Sequence, residues 1–289
     1  MFDYDADRLR LILTELTRST LSSDAWIWLN EKINTGKPAD FNTAFVLMPR
    51  KTGKSVIIVS DKFSKEIGQI KPGLTLKNWT ADRLGRLYLI INLDATDQSA
   101  YGKTIENLFL TAEVSELVAL YSSLPFLAWA DNWKMRCAEG VRSNIGSVLE
   151  AVMYDNPYPS DYLDENAWNQ LVMRAFFTDK DVNRIIGLDE RANADLTATI
   201  SDYVDERKAA GRKINPFLWR LTAKFINEGL LNNLKEVIQN GSKREKQAAA
   251  LTLYSSDFRP AADLLEGYPE FLIAIRNKEL NWDSLSPED

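Results

Sequence analysis

The sequence predicts an all-α chain whose antiparallel helix pairs stack as a HEAT-like superhelix, one repeat domain over residues 1–289. Three observations predict it. Apolar residues recur at helical spacing in nearly every segment. Chain breakers are sparse, with 13 glycines and 10 prolines in 289 residues, too few turns for a strand-dense sandwich or barrel. The turns between periodic segments are short, and no long linker marks a domain border, which is how helical repeats read.

The elements follow in order. Leu9, Ile12, Leu13 and Leu16 are spaced as one face of a first helix. Ser23 is positioned to cap a second, with Trp26, Leu29 and Ile33 on one side and an end near Gly36-Lys37-Pro38. Asp40 is positioned to cap a third, carrying Phe41, Ala44, Phe45 and Met48 and stopped by Pro49. The apolar run Val56–Val59 is the one strand-like stretch; flanked by helices, it reads as a buried helix start or an extended connector. Thr80 is positioned to cap a helix lined by Leu84, Leu87, Tyr88 and Ile91, with Trp79 placed to staple onto Leu84. Two short helices follow, through Ile105–Ala112 and Val114–Tyr121, ending at Pro125.

The longest helix is expected from about Asp131 to Asp155, closed by Asn156-Pro157-Tyr158-Pro159. Asp164 is a cap for the next, which buries Trp168, Leu171, Val172, Ala175 and Phe176. Another long helix is expected over Asp189–Ala210, stopping at Gly211. Asn215-Pro216 is a start signal, with proline at the first helical position. Ser242-Lys243-Arg244-Glu245 matches the capping box. A final short pair leads into the acidic stretch 282–289, expected to be a flexible tail.

Composition removes several function classes. A net charge of −6 and a pI near 5.0 argue against a nucleic-acid binder, which needs a basic face to release phosphate counterions. No apolar stretch approaches the ~20 residues of a membrane-spanning helix, so direct membrane insertion is not expected. The start Met1-Phe2-Asp3-Tyr4-Asp5 is acidic where a signal peptide is basic, and one cysteine, Cys137, forms no internal disulfide; the cytoplasm is the expected compartment. There is no histidine. Ser-His-Asp triads, HExxH zinc sites and histidine bases are therefore excluded, and neither a metal nor another cofactor is expected.

A more specific likeness sits in the middle of the chain. It runs from Glu113-Val114-Ser115-Glu116-Leu117-Val118 to Pro125, then Arg136, Ala138-Glu139-Gly140-Val141-Arg142 and Asn144. It continues through Asp155-Asn156-Pro157-Tyr158-Pro159, Ala167-Trp168-Asn169-Gln170 and Gly187-Leu188-Asp189 with Arg191 and Asn193. Asp202-Tyr203, Glu206-Arg207, Ala209-Ala210-Gly211-Arg212 and Pro216 with Leu218-Trp219-Arg220 complete it, so residues 113–220 carry it. In this order and spacing the chain resembles the EboA family of bacterial metabolite-traffic proteins. Asp205 stands where the family is expected to show histidine, which puts in doubt any role needing that imidazole. The resemblance implies export or trafficking of a small metabolite together with proteins of the same gene cluster, among them a membrane prenyltransferase-like protein.

Pro49-Arg50-Lys51-Thr52-Gly53-Lys54-Ser55 superficially suggests a phosphate-binding loop, but Met48 occupies the place of its first glycine and no strand leads in. In the expected central helix Arg136, Glu139, Ser143, Ser147 and Glu150 form a polar stripe containing Gly140. Small residues there suit close packing against a neighbouring helix, or the lining of a cleft. Asp202 and Glu206, four apart, share a helix face with Arg191 and Asp195, as an ion-pair network or a carboxylate pair. The binding candidates are Arg136, Glu139, Arg142, Asn144, Asn156, Tyr158, Trp168, Asn169, Arg191, Asn193, Asp202, Glu206 and Arg207. The leading reading is a non-catalytic binding or scaffold protein. Its rival is an enzyme using Glu139, Asp202 and Glu206, with Mg²⁺ or Ca²⁺, on a small aromatic or prenylated metabolite.

Overall fold

The computed structural model describes residues 1–285, and among these the structure is helical, without a strand; Val56↔Thr80 and Tyr154↔Ile185 are isolated bridges. The chain forms two compact units, Met1–Trp168 with Arg184–Ile186, and Asn169–Asn183 with Gly187 onward.

The first unit begins with α1 (Ala6–Thr20), α2 (Ser23–Asn34), α3 (Pro38–Thr52), α4 (Asp61–Ile70) and α5 (Ala81–Ile91). Then come α6 (Gln98–Thr111), α7 (Val114–Ser122), α8 (Lys134–Val141), α9 (Gly146–Met153) and α10 (Tyr158–Tyr162). Side-chain caps open several of them: Asp5 accepts from the Arg8 N–H, Ser22 from Ala25 and Ser60 from Phe63. The cap of α2 is thus Ser22, one residue before the expected Ser23, and α3 starts at Pro38 with Asp40 inside its first turn.

Helix α5 is the hub. It packs against α1, α2, α3 and α7. Ten of its eleven residues are buried, Arg83 being the exception. Such an all-round burial takes even Asp82 and Arg86 inside, where Arg86 Nη1 lies 2.8 Å from Asp82 and Nη2 3.8 Å from Glu116 of α7. Arg86 also explains why α3 runs past Pro49 instead of stopping there. Proline cannot donate to the carbonyl four residues back, and that carbonyl, Phe45 O, accepts instead from Arg86 Nε at 2.9 Å. Close contact between α3 and α5 requires Gly85, since a Cβ there would lie 2.6 Å from Met48 Sδ.

The expected long helix 131–155 is interrupted. A 3-10 turn at Ala130–Trp133 leads into α8, and the chain turns at Arg142–Ile145 before α9. The Ser143 hydroxyl accepts from the Ile145 N–H, a local bond that competes with helix continuation. Turning back lets α9 pack on α8, and Gly140 is the contact point: a Cβ there would fall 2.5 Å from the Tyr121 ring and 2.6 Å from Val152. The close approach expected of Gly140 is present, on a shorter helix. Val56–Val59 is an extended connector.

In the second unit, which holds the C-terminal part of α11 (Glu165–Phe177), come α12 (Ala194–Ala209), α13 (Glu228–Asn240), α14 (Lys243–Tyr254), α15 (Arg259–Glu266) and α16 (Pro269–Arg276). Helix α12 begins at Ala194, not Asp189, because Asn193 caps it by accepting from Leu196. Asn215-Pro216 does start an element, but Pro216–Phe225 winds as 3-10. The Ser242/Glu245 capping box forms as expected. Of the expected tail, Trp282–Ser284 make a 3-10 turn with Trp282 beside Phe217, and residues 286–289 lie outside the described residues. Among the described residues no helix is long and apolar enough to cross a membrane.

Candidate functional site

Most candidates from the sequence act as local braces. Arg136 bridges Glu106 and Glu139, reaching the latter at 2.8 Å, while its guanidinium lies over Phe109. Arg142 and Asn144 are exposed in the turn that follows. Asn156 is 4% exposed and its amide is saturated: Nδ2 donates to Tyr121 O and Ala151 O, each at 3.1 Å, and Oδ1 accepts from Tyr158 N. Tyr158 is fully buried, stacks on Tyr162 and donates its hydroxyl to Ala130 O at 2.6 Å. Trp168 is fully buried.

In the second unit Asn169 and Asn193 exchange amide hydrogen bonds at 3.2 and 2.8 Å. Asn193 also donates to Arg191 O, so three candidates meet there. Asp202 and Glu206 are exposed on α12, and Arg207 donates from Nε to Lys213 O with its guanidinium over Tyr203. Asp189 and Arg220, both in the family-like stretch, form a two-pronged pair with both distances at 2.6 Å. Among the described residues no three acidic or cysteine side chains converge as metal ligands.

A cleft of about 200 Å³ in the first unit has a different character. Its walls come from the segment 75–83, the C-terminal end of α7, α9, the corner Tyr154–Pro157 and Arg184. Ser147 and Glu150 of the expected polar stripe line it, whereas Arg136 and Glu139, on a separate helix, do not. Two residues in the left-handed region shape the rim, Asn78 at φ 61° and Asp155 at φ 54°. Asx residues adopt that region at low steric cost. Asp155 is fixed there by its N–H donating to Arg184 O at 2.9 Å, and by the Arg184 side chain, whose Nε donates to its carboxylate at 3.1 Å.

Two arginines face this cleft with aromatic support. Arg184 lies over Tyr154, 4.2 Å from the ring centroid, and is neutralised by Asp155. Arg83 lies over Trp79 at 5.4 Å, and Trp79 is itself fixed edge-on to Phe126 at 5.9 Å. Among the described residues Arg83 makes neither an ion pair nor a hydrogen bond through its side chain. Burial lowers its pKa from the usual value, only partly opposed by Asp82, which marks a cation short of compensation. Sequence reading missed Arg83 and noted Trp79 only as a helix staple. The available signal was an arginine beside the apolar stripe of α5, four residues after a tryptophan.

A second cleft, about 390 Å³, lies in the second unit between Tyr203, Arg207, Lys213, Ser242, Arg244 and Glu245. Its Arg207 and the Ser242/Glu245 box are already engaged with backbone.

No curated protein and no solved structure matches the chain. The family model described as metabolite traffic protein EboA matches residues 9–223, the greater part of its length. The chain therefore belongs to the EboA family of metabolite traffic proteins.

Proposed function

We propose that this chain is a non-catalytic binding protein of metabolite traffic, and that the Trp79–Arg83 cleft holds a small metabolite. The observation that carries the proposal is Arg83. It is a half-buried guanidinium over an aromatic ring, with no ion pair or side-chain hydrogen bond among the described residues, on the rim of a formed cleft. Such a group is costly to bury without a partner, and a bound molecule relieves that cost. Every lining residue falls between 75 and 184, inside the family match, whereas Ser242, Arg244 and Glu245 of the second cleft lie beyond it.

Binding is favoured over catalysis because the groups of the enzyme alternative lack a common chemical setting. Glu139 is paired with Arg136, and Asp202 and Glu206 are solvent-exposed. General acid–base chemistry needs a carboxyl whose surroundings shift it toward neutrality. The proposal has the chain act in the cytoplasm, passing its cargo to proteins of the same gene cluster, the membrane prenyltransferase-like protein included. A HEAT-like stacking is proposed for the second unit, supported by contacts between consecutive helices: α13 with α14, α14 with α15, and α15 with α16.

The test is a blocked cleft. Ser147 is exposed and lines the cavity, so Ser147→Trp fills it without disturbing the core. In producing cells this variant should reproduce the extracellular metabolite profile of a strain lacking the chain, with an unchanged melting temperature. Wild-type export from a stable Ser147→Trp strain contradicts the proposal. Accumulation of a chemically different precursor in the strain lacking the chain indicates an enzyme instead.

A further inference from the structure

We infer that the cleft takes an organic monoanion: a carboxylate, received by Arg83, on a flat apolar body lying against Trp79 and Phe126. This rests on the reading of the cleft as the metabolite site and adds the ligand's chemical class.

Charge comes first. The lining contributes three cations, Lys77, Arg83 and Arg184, and two carboxylates, Glu150 and Asp155, leaving one positive charge in excess. The net charge of the whole chain is −6, so this excess is local. Arg184 is paired with Asp155, and Lys77 is exposed, where water screens it. Arg83 is the half-buried cation to which no described residue gives an ion pair or a hydrogen bond, so a carboxylate brought to it supplies a partner that the fold does not.

Shape comes second. The guanidinium offers parallel N–H bonds in one plane, which match both oxygens of a carboxylate. The Arg83 guanidinium carbon lies 5.4 Å from the Trp79 ring centroid, and Phe126, Ala151 and Pro157 line the same cleft, so a ring attached to the carboxylate has an apolar wall beside it. A ligand pocket usually has roughly 300–1,000 Å³ of room. The 200 Å³ here suits one compact end of a molecule, a ring with its carboxylate, with any longer portion outside. The geometry of α5 points the same way. Every other residue of that helix is buried, yet the one residue left at the surface of the hub is an arginine without a counter-ion.

The experiment compares matched acids and amides by isothermal titration calorimetry on the full chain. Indole-3-carboxylate, 2-naphthoate and anthracene-9-carboxylate are each paired with the neutral primary amide. The wild type should bind at least one acid about tenfold or more tightly than its amide, the difference of a charge-assisted bond. Arg83→Gln should abolish that preference, and Arg83→Lys should retain part of it as a point charge. An amide binding as well as its acid overturns the anion assignment and leaves the small-molecule reading standing. A preference that persists in Arg83→Gln removes Arg83 from the role. Failure of all six compounds overturns the ring-acid assignment, while the cleft itself stands or falls on the export of the Ser147→Trp strain.

Discussion

The guanidinium carbon of Arg83 lies 5.4 Å from the ring centroid of Trp79, one helical turn back along the same segment. Three residues further on, Arg86 sits at 1% exposure between two carboxylates and the carbonyl of Phe45. The two arginines share a helix and differ in everything that decides their role. One is fully partnered inside the protein, and the other faces a cleft with a ring beside it and, among the described residues, no ion pair.

Arg83→Gln should therefore cost little stability. The lost cation–π contact is worth roughly 0.5–1 kcal/mol, and losing the burial of an unpaired cation offsets it. Chemical denaturation should place the variant within about 1 kcal/mol of wild type. A larger loss would give Arg83 a structural role.

Arg86→Gln should cost about 3–5 kcal/mol, the usual consequence of removing one partner from a buried ion pair. It would leave the buried Asp82 and Glu116 carboxylates without their shared cation. It would also free the Phe45 carbonyl, which Pro49 cannot serve. The same denaturation measurement checks it, and a near-neutral result would contradict the packing of α3 on α5.

Gly140→Ala should destabilise by about 1–3 kcal/mol, because its methyl would meet Tyr121 and Val152 inside contact distance on two sides. Gly102→Ala in α6 is the matched control. Nothing lies within 4 Å of its new Cβ, so it should stabilise by roughly 0.5–1 kcal/mol through helix propensity. Thermal midpoints of opposite sign are expected from the two variants.

Asp3 gives a pH dependence. Burial raises its pKa, but hydrogen bonds from Lys71, at 2.8 Å, and Tyr162 outweigh that and hold it below the ordinary 3.8. Because the folded pKa is the lower one, the linked stability is fully present well above pH 3.8. It is lost as pH falls below that value toward the folded pKa. The melting temperatures of wild type and Asp3→Asn should differ near neutrality and converge on acidification through this window. A difference that grows below pH 3.8 would reverse the sign.

Helical class, most element positions and several caps were legible because periodicity and capping are local. Leu9, Ile12, Leu13 and Leu16 are all buried on α1, and Ser242 caps α14. What failed was decided by tertiary contacts. The break after Val141 depends on Val152 reaching Gly140, and the passage of α3 through Pro49 depends on Arg86, 41 residues beyond the carbonyl it serves. The family-like motif identified residues that hold corners together, as Asn156 and Asn193 show. Arg83 lay outside it, since a site built from an absent partner leaves no pattern in spacing.

The most direct measurement is native mass spectrometry of the chain purified from cells that make the metabolite. The account predicts one bound organic acid per chain in the wild type, absent from both Arg83→Gln and Ser147→Trp. Wild-type protein that emerges bare, or the same adduct retained in both variants, would contradict it.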